Sequence, residues 1–319
     1  MKIFKHLHAT PELNDWGISV PLLKSRGDKV SEELDQVHLI PETKDITKED
    51  LFRVHDLNFV NDLFDPSKIN QIMMDCYELV NNDGSYNRFN PNNKQKTFSE
   101  LRDCHLNEVE GTYFCSNQAL QSNGSVFFLG GGMHHAMSFG GRGFCLLNDL
   151  IISIRKLQFE KKIKTAWIID VDAHKGDGTA ELTKDDNSII SLSIHMKNGW
   201  PLDSDQLGPW NIASNIDVEI SEGEDNYLDK LEQALKQLTN KFEVPDLIYI
   251  VDGADPYEFD QLESAKLLKL SKETLLQRDL LLYGFCQELS VPNIWVMAGG
   301  YGERSWEVYT NFLNKIRHT

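Results

Sequence analysis

The stretch IIDVDAHKGDG, residues 168–178, runs an apolar segment straight into a cluster of carboxylates around one histidine. Its lead-in, residues 165–170, has the short β-branched and aromatic character of a buried strand. In an extended chain residues i and i+2 share a face, so Asp172 and His174 point the same way, as does Asp170 if the extension holds. Oxygen and imidazole donors together suit zinc or another first-row ion better than calcium, which takes oxygen alone. The same carboxylates could equally cap the N-terminus of a helix that follows.

Outward from this stretch, similar runs recur at residues 2–6, 125–129, 188–194, 246–251 and 293–297. Helical patterns separate several of them. At 226–238, Leu228, Leu231, Leu235 and Leu238 form one stripe, and a second helix is predicted over 275–289. This alternation predicts an α/β fold, a parallel β-sheet with helices on both faces. No internal repeat or linker divides the 319 residues, so one domain over 1–319 is expected. An earlier helix is expected from Thr47, with Asp50 at capping-box spacing and Leu51, Val54 and Leu63 facing a core. Residues 81–97, rich in Asn and punctuated by Gly84 and Pro91, read as a loop of a length that is usually functional or disordered.

A formal net charge of −17 argues against general nucleic-acid affinity, which needs concentrated Lys and Arg. A cationic partner such as a lysine-rich peptide or a polyamine suits this surface, and acidity also serves solubility. Five widely spaced cysteines with no C-x-x-C pair fit a reducing cytosol. The opening residues lack a secretory h-region and no apolar run has bilayer-spanning length. The expectation is a soluble cytoplasmic protein, or a nuclear one in a eukaryote, with no membrane partner.

Three further segments carry polar groups at the ends of expected strands. In FFLGGGMHHAMSFGGRGFCLLND, residues 127–149, three glycines precede His134 and His135, a pair suited to acid/base work or metal binding. An isolated pair of this kind more often has one imidazole buried and the other in solvent. Gly140, Gly141 and Gly143 lack the spacing and the following Lys-Ser or Lys-Thr of a phosphate loop. LIYIVDGADP, residues 247–256, offers Asp252 and Asp255, one of which would complete an Asp, His, Asp ligand set with the fourth position open; as turn or cap residues they would be ordinary. NIWVMAGGYGER, residues 293–304, presents Tyr301 after Gly299 and Gly300, where a phenol could donate to a developing oxyanion. All four segments follow expected parallel strands, whose carboxyl ends are where open α/β sheets bind ligands.

Taken in order, GGGMHHA, GFCLLND, DVDAHKGDG, LSIH, GADP and GGY resemble the histone deacetylase and acetylpolyamine amidohydrolase group of the arginase/deacetylase superfamily, and ITKEDLFRVHDLNFV resembles its N-terminal helix. The resemblance spans nearly the whole chain. It implies a metal-dependent hydrolase that removes acetyl or longer acyl groups from lysine in peptides or proteins, or from acetylated polyamines. Asp172, His174 and Asp255 would bind Zn2+, and the same ligands accept Fe2+. His135 would be the principal general base and acid, with His134 assisting. Asp170 would orient His134, and Asp177 would orient His135. Tyr301 would be the oxyanion donor. Asp170, Asp172, His174, Ser193 and Ile194 would form a structural K+ site, and Gly143, Phe144, Trp200 and Gly300 a substrate tunnel.

The chain departs from the pattern at Lys175, where many relatives carry a second histidine, and at Glu263, where they often carry glycine after the pattern from Asp260 to Leu262. The Asp-Ala-His wording and the stretch EDNYLDKLE are similar to the class IV-like branch, which is associated with long-chain acyl-lysine. A ureohydrolase would also use Asp-Ala-His but needs more carboxylates for two manganese ions. Here Gly176 stands where D-x-H-x-D would place an acid, and Asp252 and Asp255 are spaced D-x-x-D. A silent acyl-lysine reader is the alternative of another kind, and it is disfavoured by a full complement of ligands, histidines, acids and tyrosine.

Overall fold

Strands buried on both faces read as apolar runs, and such runs form the interior of one all-parallel sheet of eight strands in the order β3-β1-β5-β10-β9-β6-β7-β8. The computed structural model describes residues 1–317 except 10, 24, 204–207, 224 and 225. The strands are β1 (Lys2–Lys5), β3 (Val37–Leu39), β5 (Ser125–Phe128), β6 (Ala166–Asp170), β7 (Ile189–Met196), β8 (Ile216–Ile220), β9 (Leu247–Val251) and β10 (Asn293–Val296). β2 (Trp16–Ile18) and β4 (Phe89–Lys94) form a separate antiparallel pair. Before β5 lie helices α1 (Ser25–Glu32), α2 (Lys48–Phe52), α3 (Leu57–Leu63), α4 (Ile69–Cys76) and α5 (Phe98–Ser122). After it come α6 (Asp149–Phe159), α7 (Asp177–Thr183), α8 (Tyr227–Lys241), α9 (Lys272–Leu289) and α10 (Trp306–Arg317).

Side-chain alternation sends Phe127, Trp167, Ile169, Ile250 and Trp295 to one face, against residues of α1, α8, α9 and α10. Phe128, Ile168, Tyr249, Val251 and Val296 face the other way, against α5 and α6. The α/β reading of the sequence therefore holds. Within the sheet, β9 and β10 insert between β5 and β6, so the four central strands are consecutive neighbours. Their ends lie abreast: Phe128 pairs with Val296, Val296 with Val251, and Val251 with Asp170. Four loops therefore leave the sheet at one level.

Two expectations need correction. The helix from Thr47 is two helices, α2 and α3. Thr47 does cap the first, its N–H and hydroxyl both donating to Asp50 at 2.9 Å. The break follows because His55 and Asp56 are drawn into tertiary bonds. His55 Nδ1 donates to Met137 O at 2.8 Å, Nε2 accepts from Asn148 N–H at 3.1 Å, and Asp56 N–H donates to Ser138 O at 2.7 Å. The stretch 81–97 is not all loop, because β4 runs through it and pairs with β2 around a bulge. Its strand carries a run of exposed asparagines, so no apolar alternation announces it. β3 and β8, both edge strands, were likewise unmarked by an apolar run. Two residues of EDNYLDKLE, 224 and 225, lie outside the described residues.

One buried cation ties α9 to the strand ends. Arg278, fully buried, donates through Nη1 to Val171 O at 3.1 Å and Gly253 O at 2.8 Å, through Nη2 to Asp252 at 2.7 Å, and through Nε to Asp279 at 2.7 Å. The two carbonyls belong to the loops that carry Asp172 and Asp255. Breaking a buried ion pair by removing one partner costs about 3–5 kcal/mol. Arg278→Met is expected to lose that much in urea unfolding, because Asp252 and Asp279 stay buried without their counter-charge.

His55 makes stability depend on pH. Burial, opposed by its bonds to Met137 and Ser138, lowers it from 6.5 to about 4. The unfolded chain therefore takes up the proton first, and stability present above pH 6.5 is lost as pH falls toward 4, by up to about 1.4 kcal/mol per pH unit. The urea midpoint is expected to fall over that window, and less steeply in His55→Gln.

Candidate active site

The histidine pair is presented by a loop that a buried carboxylate folds. Asp149 accepts from Gly132 N–H at 3.0 Å, Met133 N–H at 2.7 Å and the Thr112 hydroxyl at 2.6 Å. Gly132 takes φ +90°, and a Cβ there would run into the backbone of Ala298. His134 and His135 emerge side by side, ring centroids 3.9 Å apart, and both are buried. The ordinary arrangement of such a pair, one in and one out, does not apply.

Each imidazole is backed by a buried carboxylate. His134 Nδ1 lies 2.6 Å from Asp170 Oδ2, and His135 Nδ1 lies 2.7 Å from Asp177 Oδ1. The two are poised differently. Burial works against a charge on His134, but Asp170 and Asp172 outweigh it and raise the group to about 9. Burial and the neighbouring charge of His134 lower His135 to about 3. In the metal-free site one ring favours the charged form and the other the neutral form. Asp177 also opens α7, so its helix-start role and its contact with His135 coexist.

Asp172, His174 and Asp255 form a second cluster beside the pair. One donor atom from each lies within 4.8 Å of the others, and all three residues are buried. His174 Nδ1 is 3.2 Å from Asp172 Oδ1 and 2.9 Å from Asp255 Oδ2. Burial disfavours charge on His174, but the two carboxylates overcome it and raise the ring to about 10. A cation placed among these donors would take over that proton's role. Gly299 lines the same spot, where a Cβ would press on both Asp172 and Asp255, and its N–H donates to Asp172 at 3.0 Å. His174 Nε2 contacts Ser264 Oγ at 3.1 Å, the outer hydrogen bond that a ligating imidazole usually makes. The donor set, its crowding and its outer bond fit a divalent metal such as zinc.

A narrow cavity of about 90 Å³ joins the clusters, lined among others by His134, His135, Asp172, His174, Phe144 and Tyr301. Tyr301 is nearly buried and its phenol is held well above its ordinary range by burial and by Asp255 and Asp172, so it stays a donor. Its N–H donates to Asp260 at 2.7 Å, and Asp260 also accepts from Leu262 N–H at 2.8 Å. Phe144 lies 6.1 Å from Tyr301 and stacks on Tyr77 at 5.7 Å, while Trp200 stands edge-on to His135 at 4.6 Å and to His174 at 5.6 Å. Gly143 lines the cavity, and Gly300 backs it, its carbonyl accepting from Arg26 at 3.0 Å. Arg88, from the 81–97 stretch, sits 5.6 Å over the Phe144 ring.

Several sequence readings resolve here. Of the two aspartates after β9, Asp255 joins the donor cluster and Asp252 holds Arg278. Lys175 is buried and bonded to Asp217 at 3.2 Å, away from the donors. Glu263 sits in a short 3-10 turn, Glu263–Ala265, that delivers Ser264 to His174. Asp170 pairs with Ser193 across β6 and β7, and Ser193 Oγ lies 3.1 Å from His195 Nδ1. Asp149, Ser264 and Arg278 were not singled out from the sequence, and Asp260 was named only as the start of the pattern ending at Leu262. Asp149 had a signal as the last residue of GFCLLND.

All five cysteines are free thiols, and no described helix is long and apolar enough to cross a membrane. The profile of the histone deacetylase domain matches residues 21–315. An uncharacterized protein of Picosynechococcus is 32% identical over 200 residues, 62% of this chain and 63% of its own. Histone deacetylase 2 of Arabidopsis thaliana is 28% identical over 289 residues, 90% of this chain and 70% of its own. The acetoin utilization protein AcuC of Bacillus subtilis is 27% identical over 188 residues, 56% of this chain and 47% of its own. The match thus spans less than two thirds of the Picosynechococcus and Bacillus proteins. With the profile running through all four loops that leave the central strands, and a parallel sheet of eight strands beneath them, this chain belongs to the histone deacetylase family of the arginase/deacetylase fold.

Proposed function

We propose that the chain is a zinc-dependent amidohydrolase that removes acetyl or longer acyl groups from the side-chain amine of lysine in peptides or proteins, acting as one catalytic domain. The observation that carries this reading is the convergence, around one narrow cavity, of two carboxylate-backed histidines, a buried tyrosine and a donor set of which Asp172 and His174 line the cavity and Asp255 stands beside them. An acetylated polyamine offers the same amide on a linear aliphatic stem, and the acidic surface suits either substrate.

Asp172, His174 and Asp255 would hold the metal, which when bound supplies a polarised amide carbonyl and an acidified water. His135, neutral and held by Asp177, takes a proton at Nε2 as water attacks the carbonyl carbon. His134, paired with Asp170, assists electrostatically as negative charge develops nearby. The Tyr301 hydroxyl donates to the carbonyl oxygen as it becomes anionic. His135 then returns its proton to the leaving amine, which departs as the free lysine side chain. Phe144 and Trp200 flank the aliphatic stem and shield it from bulk solvent. Asp170, Asp172, His174, Ser193 and Ile194 are assigned to a structural K+ site behind the donor set, where Asp170 and Ser193 are strand neighbours.

The deciding experiment is mass-spectrometric turnover of acetyl-lysine peptide, myristoyl-lysine peptide and acetylspermidine, with and without a zinc chelator. Chelator-sensitive release of an acyl group from lysine is the expected result; no release from zinc-loaded protein would overturn the reading. Tyr301→Phe is expected to fold as wild type and lose about 100-fold to 1,000-fold in kcat. Activity within about three-fold of wild type would remove the tyrosine from the chemistry.

A further inference from the structure

Arg142 holds none of the roles assigned above, yet it touches four parts of the site. Its Nη1 lies 3.1 Å from Asp177 Oδ2, while Oδ1 of the same carboxylate is taken by His135. Its guanidinium carbon sits 4.9 Å from the Trp200 ring centroid and 4.7 Å from that of Trp210. Its backbone exchanges hydrogen bonds with Cys145, at 3.0 and 2.9 Å, closing the turn that carries Gly143 and Phe144. Asp177 is fully buried and the arginine side chain is only 18% exposed, so the pair is partly shielded from solvent.

Trp200 and Trp210 both belong to the crossover between β7 and β8. Among its described residues, the regular structure is one 3-10 turn, Pro209–Asn211. A planar guanidinium can stack on aromatic faces and pair with a carboxylate at once, whereas an ammonium is a point charge that can pair but not span both. We infer that Arg142 is a positioning and specificity residue, a clamp that pins Trp200 as the tunnel wall beside His135 and holds Asp177 behind that histidine, so that the tunnel selects a slim linear amide stem.

The inference rests on the deacylase reading and deepens it. With the guanidinium gone, Trp200 is free to leave His135, and a linear stem loses its wall while a bulkier one gains room. Two peptides test this, one with acetyl-lysine and one with 4-(acetamidomethyl)phenylalanine, whose stem is aromatic. Arg142→Met is expected to raise KM for the acetyl-lysine peptide about 10-fold, the scale of one shielded cation–π contact, and to narrow the preference for the linear stem about five-fold or more. Arg142→Lys keeps a counter-charge for Asp177 and is expected to hold kcat within about three-fold of wild type while leaving the stem preference relaxed. Acrylamide quenching of tryptophan emission gives a readout that needs no turnover: Trp200 and Trp210 become more accessible in both variants. Unchanged stem preference together with unchanged quenching in Arg142→Met overturns the clamp, as does full recovery of both by lysine. A wild-type protein that cleaves neither peptide defeats the deacylase reading, and quenching then decides the clamp by itself.

Discussion

Burying charge is costly unless each charge finds a partner, and this constraint governs the carboxyl end of the sheet. Asp170, Asp172, Asp177, Asp252, Asp255 and Asp279 all lie at 2% exposure or less, too dry for any of them to rely on water. Each is answered by a cation or an imidazole: Asp170 by His134, Asp177 by His135 and Arg142, Asp252 and Asp279 by Arg278, and Asp172 with Asp255 by His174. Moving one loop would leave a buried charge without its partner. The pairings therefore hold the loops in register as firmly as packing holds the strands.

Parallel topology makes those pairings reachable. Because β9 and β10 return to lie between β5 and β6, the segments bearing His135, Tyr301, Asp255 and Asp172 leave four neighbouring strands at one level. Arg278 then reaches from α9 to carbonyls on two of these loops, and Asp149 reaches from α6 to the amides of a third. The helices thus cover the apolar faces of the sheet and also supply the charges that fix its loops.

Much of the arrangement was legible in residue order. The β-branched runs of β6, β9 and β10, flanked by helical stripes, identify a parallel sheet from local pattern. The polar groups after each run mark its carboxyl end, and the D-x-H spacing puts Asp172 and His174 on one side of an extended chain. What was not legible depends on partners distant in sequence. β4 carries asparagines where a buried strand would carry apolar residues, so only its pairing with β2 reveals it. His55 ends a helix for the sake of bonds to Met137 and Asn148, more than 80 residues away. The choice between Asp252 and Asp255 could not be read from D-x-x-D, because it turns on Arg278 waiting in α9.

The sequence by itself determined the apolar strands of the sheet, the stripes of α8 and α9, the fold class and the inventory of groups at the strand ends, since these follow from periodicity and from residue type. Tertiary structure alone decided which carboxylate meets which imidazole, which aspartate joins the donor set, and that Arg142 and Trp200 meet beside His135. Pairing of buried charges is a matter of distance and desolvation, and both exist only after the chain has closed on itself.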